Sequence, residues 1–321
     1  MKDGSEGRSE TSRAAAAIDC QTVRVVAIVG LNLALVVVAV VLASSLGGKL
    51  PDLNAATLAV GLLPVSAALG LMLGCRRIDF ALPVILVLAL ACQAHRHLLT
   101  DQPILSLAMV CGAAGAVGLT SALVTWFGRI SSALWTGTFA FGLWLLLGVM
   151  KISGEGPGAW PWPWALAASL GVLLAGAAVL GLAGLVALPS LPPIVRSGSK
   201  GFAGLAAAWI IAGITVALAA QSAAARMTAG ELQAAYPRML AAAAMSGAFI
   251  LRGRFGALAA VLLTCLGHLA WSFAWSTNLG NTTLDILVPA VAPLVAIPLY
   301  LVVDWFVRQR SGESAPTGLL A

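Results

Sequence analysis

The chain has 321 residues, of which 60% are hydrophobic and 9% charged, and its mean hydropathy is +0.98. A soluble domain carries roughly 25% charged residues, so this composition excludes a water-covered globule. It predicts an all-α fold, a polytopic transmembrane helical bundle of about ten spans that includes short or broken helices. The apolar runs are unbroken, which excludes the alternating strands of a membrane β-barrel. The formal charge of +6 comes from basic residues scattered at the ends of those runs. That placement serves membrane orientation and leaves no nucleic-acid partner.

In chain order, residues 1–21 are polar and charged and read as a disordered cytoplasmic tail. The membrane domain is expected over 22–306, with a cytoplasmic C-terminal tail over 307–321. The first apolar run, Val25–Leu46, is too long for the core of a cleavable signal and suits a helix crossing lipid. Ten candidate spans follow from charge and proline punctuation: 23–46, 56–74, 79–94, 104–127, 130–150, 164–188, 202–220, 239–251, 255–276 and 284–303. The third and eighth are short. Each reads as a broken or re-entrant helix, which lipid tolerates where neighbouring protein or a water-filled cavity satisfies the freed backbone.

With the amino terminus inside, thirteen basic residues fall in cytoplasmic segments, Arg24, Arg76, Arg77, Arg129, Lys200, Arg252 and Arg254 among them, and five fall outside. Positive charge stays on the cytoplasmic side. The expectation is a multi-pass protein of a bacterial inner (plasma) membrane with both termini in the cytoplasm. Trp160, Trp162 and Trp164, interleaved with Pro161 and Pro163, read as an outer-surface anchor or a stacking platform. Gly112, Gly115 and Gly118 and the row Gly176, Gly181 and Gly184 predict close helix packing or a pore lined by small side chains.

No catalytic constellation is present, so the chain is read as no enzyme, with no cofactor and no metal. The five cysteines, Cys20, Cys75, Cys92, Cys111 and Cys265, lack CxxC or metal spacing. His95 and His97 flank Arg96 in a short outer loop, and His268 lies inside the ninth span. An intramembrane polar group faces the bundle interior, where His268 serves as a structural hydrogen bond, a substrate contact or a proton site. Asp79, Asp285 and Asp304 sit at span edges, and Asp304 caps the last span or pairs with Arg308 one turn on. No P-loop is present, so any ATPase is another chain.

Three stretches carry a family resemblance. The segment LPDLNAATLAVGLLPVSAALGLMLGCRRIDFALPVILVLAL (50–90) resembles the permease subunits of ribose/branched-chain-amino-acid-type ATP-binding cassette importers. Those permeases carry T-G-G-I-D-L-S-V-G where this chain has Cys75, Arg76, Arg77, Ile78, Asp79 and Phe80. GRISSALWTGTFAFGLWLLLG (128–148) is similar to the family's R-I-P-P-F-I-V-T-L-G-T, with Arg129, Ile130, Thr136, Gly137 and Thr138 retained. ELQAAYPRMLAAAAMSGAFILRGRFGALAAVLLTCLG (231–267) is similar to its glycine-rich motif, around Ser246, Gly247, Gly253, Arg254 and Gly256.

The resemblance implies a translocation path for a small polar solute, sugar-like by family habit, beside a second permease subunit in a homo- or heterodimer. Cytoplasmic ATPase subunits and an extracytoplasmic substrate-binding protein are the implied partners, within the lipid bilayer. Candidate path residues are Asp79, Thr136, Thr138 and His268, with Thr215, Thr264 and Ser272 as further polar lining or interhelical contacts. Two departures stand out. Arg76 and Arg77 replace glycines, and either reshape the path or lie at the membrane surface. LPSLPPIVRSGSKG (188–201) stands where the family's coupling helix docks the ATPase. Two other readings remain: a self-contained secondary transporter of the drug/metabolite type, and a non-transporting membrane scaffold.

Overall fold

The computed structural model describes residues 6–45, 53–94, 102–150, 162–183, 185, 199–223, 229–251, 256–275 and 282–311. Ten α-helices run through them: α1 (Glu6–Ser45), α2 (Leu53–Gly74), α3 (Leu82–Ala94), α4 (Pro103–Phe127), α5 (Ser132–Met150), α6 (Trp162–Leu182), α7 (Ser199–Ala223), α8 (Ala229–Met245), α9 (Gly256–Trp275) and α10 (Thr282–Ser311). A single 3-10 turn, Ala248–Ile250, follows α8. Six helices are long and apolar enough to cross a membrane: α1, α4, α6, α7, α9 and α10. α2 and α3 hold shorter apolar stretches, Ala59–Gly74 and Leu82–Cys92. The fold is a polytopic helical bundle.

The helices form because apolar runs can satisfy their backbone only internally in lipid. Their ends have identifiable causes. α4 opens on Gln102 in extended backbone with Pro103 in its first turn, where a missing N–H costs nothing. α2 and α4 close on residues in left-handed backbone, Arg76 (φ 58) and Arg129 (φ 52). α2 and α8 keep prolines inside, Pro64 and Pro237.

α2 is the centre of the bundle, with every residue from Gly61 to Met72 buried. It packs against α9, α7, α8 and α6. α7 is its counterpart, packed against α4, α6, α2 and α3. The pattern interlocks two sets of five helices. The second helix of each set packs against the third and fourth of the other: α2 on α8 and α9, α7 on α3 and α4. α1 and α6 break the pattern, since α6 lies on α7 whereas α1 lies on α9 and α10.

Backbones touch where the sequence has glycine. A Cβ on Gly118 would lie 2.5 Å from the Trp209 carbonyl oxygen, and one on Gly213 would lie 2.6 Å from that of Ala114. These approaches bring α4 and α7 into contact at dispersion distance. Gly112 opens instead onto free space, so the expected glycine row of the fourth span is only partly a packing face. The outer surface is apolar: Val26, Leu33 and Val41 of α1, Leu134 and Phe141 of α5, and Leu294 and Phe306 of α10 are exposed. Such a continuous apolar exterior suits lipid and not water.

Several boundaries differ from the sequence reading. Residues 6–21, expected as a disordered tail, continue α1 as helix. The run Ala14–Ala17 has the highest helix propensity available and extends a helix already nucleated downstream. The eighth span, read as 239–251, begins ten residues earlier and stops at Met245, where Ser246 and Gly247 turn the chain. The sixth stops at Leu182 and not at 188. His95, His97, Trp160, Arg226, Arg252, Arg254 and the loop over 186–198 lie outside the described residues.

Candidate functional site

The first interruption separates α2 from α3. The Arg77 amide donates to the Met72 carbonyl at 2.9 Å and the Arg76 amide to that of Leu73 at 2.8 Å, with Arg76 in left-handed backbone. This pair of bonds is the terminator that ordinarily places glycine at the left-handed position. The chain then turns to Asp79, which starts α3. Its Oδ1 accepts the amides of Ala81 at 2.7 Å and Leu82 at 3.3 Å, two of the orphan donors of the α3 amino terminus. Its Oδ2 accepts the indole N–H of Trp209 on α7 at 2.6 Å. A buried carboxylate is tolerable because three donors and a helix amino terminus face it.

α5 secures the same turn. Ser132 Oγ accepts the Ile78 amide at 3.2 Å, and Thr136 Oγ1 accepts that of Phe80 at 3.1 Å. Thr136 Oγ1 also lies 2.8 Å from the Ser132 carbonyl, to which it donates. The structure thus brings Asp79 and Thr136 to one turn. Thr138 is exposed, two residues on and round the helix from Thr136.

The second interruption follows α8. Gly247 takes φ 68 in a space closed by Ile28 and Tyr300, and the freed carbonyls here are met by backbone amides at Ala242 and Ala244 and by side chains at Ala243, Met245 and Ser246. Tyr300 Oη of α10 donates to the Met245 carbonyl at 2.6 Å. Asn32 Nδ2 of α1 donates to the Ser246 carbonyl at 3.5 Å and to that of Ile28 at 3.1 Å, and Trp271 Nε1 of α9 holds Asn32 Oδ1 at 3.1 Å. Ser246 Oγ donates to the Ala243 carbonyl at 2.6 Å and lies 3.0 Å from Thr264 Oγ1. Ser246 also abuts Gly267. Thr264 lies eight residues into α9, so at a rise of 1.5 Å the break sits about 12 Å deep along that helix.

A polar seam joins α2 to α9. Thr264, His268 and Ser272 recur every fourth residue on one face of α9. Thr264 fills the space over Gly70, where a Cβ would stand 2.2 Å from its hydroxyl. His268 Nε2 donates to the Ala59 carbonyl at 2.9 Å, so the other ring nitrogen accepts, and Ser66 Oγ donates to Nδ1 at 2.7 Å. Pro64 lacks the amide proton that would bond the carbonyl of Val60, the residue after Ala59. The imidazole is an added donor to the Ala59 carbonyl, one residue before the carbonyl that the proline leaves open. Thr215 of α7 is buried with a hydroxyl that has no partner among the described residues.

At the bundle end where α1 starts its apolar run, Arg24 Nε donates to Asp304 Oδ1 of α10 at 3.2 Å, and Arg308 pairs with Oδ2 of the same carboxylate. Arg24 and Asp304 are each 2% exposed. The expected Asp304–Arg308 pairing is present, and Arg24 joins it. The triad brings the beginning of the first apolar run and the end of the last to one side.

Trp209, Ser66, Asn32 and Tyr300 are essential to these arrangements, and sequence reading did not single them out. Asn32 is a lone amide in an apolar run, and Tyr300 is one of two tyrosines. Both are detectable as polar exceptions inside lipid-length runs. Trp209 is not, since tryptophan reads first as an interface residue. No family model matches the chain, and no curated protein or solved structure matches it.

Proposed function

We propose that the chain is the permease subunit of an ATP-binding-cassette importer for a small polar solute. Its helices cross a bacterial inner membrane about ten times with both termini cytoplasmic. One observation carries this reading. The interruption after α2 falls on the stretch that resembles the importers' T-G-G-I-D motif, with Arg76 in left-handed backbone at the first glycine position and Asp79 capping the next half-helix. Half-helices packed inside a bundle are how membrane transporters build a path with irregular backbone. Asp79 and Thr136 then shape the path by holding its turn.

The test is co-expression of the full chain with its neighbouring genes, followed by affinity purification and reconstitution. The expected result is a complex containing a P-loop ATPase, with uptake into vesicles that requires ATP and a solute-binding protein. Solute transport by the lone chain under a proton gradient overturns the proposal.

A second reading has an observation in its favour. The interlocked five-helix sets, with His268 buried between α2 and α9 of opposite sets, suit a self-contained secondary transporter. The same reconstitution separates the two, because only the secondary transporter works without an ATPase.

A further inference from the structure

α1 and α10 meet at the turn after α8 in antiparallel register. Arg24 Nε of α1 donates to Asp304 Oδ1 of α10 at 3.2 Å. Four residues further along each helix, about 6 Å at a rise of 1.5 Å per residue, stand Ile28 and Tyr300. Both are fully buried, and a Cβ on Gly247 would lie 3.1 Å from each of them. Phe249 of the turn sets its ring edge-on to that of Tyr300, with centroids 6.0 Å apart. One more turn of α1 brings Asn32 to the Ser246 carbonyl. The ion pair and the groups that close over Gly247 thus share the same two helices.

The turn holds itself poorly. Its amides reach their carbonyls at 3.4 Å (Gly247 to Ala244), 3.2 Å (Ile250 to Gly247) and 3.2 Å (Leu251 to Ala248), whereas the terminator after α2 has bonds of 2.8 and 2.9 Å. Bonds beyond about 3.0 Å lie past the preferred N–H···O distance. Its shape therefore depends on side chains that reach it from α1 and α10, above all Tyr300 on the Met245 carbonyl. α1 packs on α9 and α10, and most of its apolar stretch Thr22–Leu42 lies on the outside of the bundle. Its distance from α10 then rests heavily on the buried Arg24–Asp304 bond, because parting those groups leaves charge in apolar surroundings. We propose that α1 and α10 form a clamp on the turn after α8, with the Arg24–Asp304 ion pair as the latch that keeps Ile28 and Tyr300 closed over Gly247. Separating the two helices at the ion pair releases the interrupted segment inside the bundle. The clamp does not depend on the importer reading.

The test is hydrogen exchange, read by mass spectrometry on the full chain in detergent micelles. In Asp304→Asn, exchange over 246–251 is expected to quicken by about tenfold or more, the equilibrium effect of losing one buried hydrogen bond. The turn over 75–81 keeps its wild-type rate. Arg24→Gln removes the other charge, acts in the same direction, and serves as the test where Asp304→Asn fails to fold. In the Ile28→Ala/Tyr300→Phe background the clamp is already open, so Asp304→Asn is expected to add little over 246–251. Quickening confined to the ends of α1 and α10 overturns the latch. Equal quickening over 75–81 also overturns it, since that is general loosening of the bundle. Full additivity in the Ile28→Ala/Tyr300→Phe background overturns it as well, because the ion pair would then act by some route other than these two side chains.

Discussion

Trp209 donates its indole proton to Asp79 Oδ2 at 2.6 Å across 130 residues of sequence, tying α7 to the start of α3. The bond joins the central helix of one five-helix set to the interrupted helix of the other. Its removal by Trp209→Phe leaves a buried carboxylate short of one donor, at a cost of about 1.5–3 kcal/mol. Thermal unfolding in detergent measures the loss. In a double-mutant cycle, Asp79→Asn in the Trp209→Phe background is expected to cost less than Asp79→Asn alone.

Arg76→Gly is expected to stabilise the chain by about 0.5–1 kcal/mol, since the left-handed strain removed exceeds the added entropy of the unfolded chain. A lowered melting temperature would show that the arginine side chain makes contacts outweighing that strain.

Tyr300→Phe removes the donor to the Met245 carbonyl and leaves a buried acceptor at the break. The expected penalty is about 1–3 kcal/mol. Hydrogen exchange should accelerate over 246–251 and stay unchanged in α4, which packs chiefly on α7.

Asp304→Asn takes the shared carboxylate from between Arg24 and Arg308 and leaves their buried charge short of it. Breaking one side of such a pair costs about 3–5 kcal/mol, and replacing Arg24 and Asp304 together by apolar residues of similar volume costs far less. Disulfide trapping between cysteines placed on α1 and α10 reports whether α1 detaches in the single variant.

His268→Ala leaves the Ser66 hydroxyl and the Ala59 carbonyl without their ring partner. A loss of about 1–3 kcal/mol is expected. Ser66→Ala, which leaves the bond to Ala59 in place, should cost less, as read from the two melting curves.

Some of this was legible before any coordinates. Asp79 stood out as a carboxylate in an apolar setting, and the resemblance marked the turn that contains it. Asp304 and Arg308 were readable as an i,i+4 pair because helix geometry alone brings them together. Arg24 was read only as an inner-face charge. Its partnership with Asp304 spans 280 positions, and no local spacing encodes it. The eighth span illustrates a different failure. Ala241–Ala244 continues as helix by propensity, so the stop at Met245 comes from Tyr300 and Asn32 satisfying freed carbonyls from two other helices.

Composition by itself determined the solvent: with so few charges the chain can expose only apolar surface, and its apolar runs must close their own backbone bonds as helices. The order of those helices and the places where they weaken were also written there, in Pro64, Asp79 and Gly247. The tertiary structure alone decided which helix meets which, because every run is nearly uniform in Leu, Ala and Val and none carries a strong directional stripe. Choice among such faces rests on where a glycine lets two backbones touch and where one buried polar group finds another, as Gly118 does with Trp209 and Ser66 with His268.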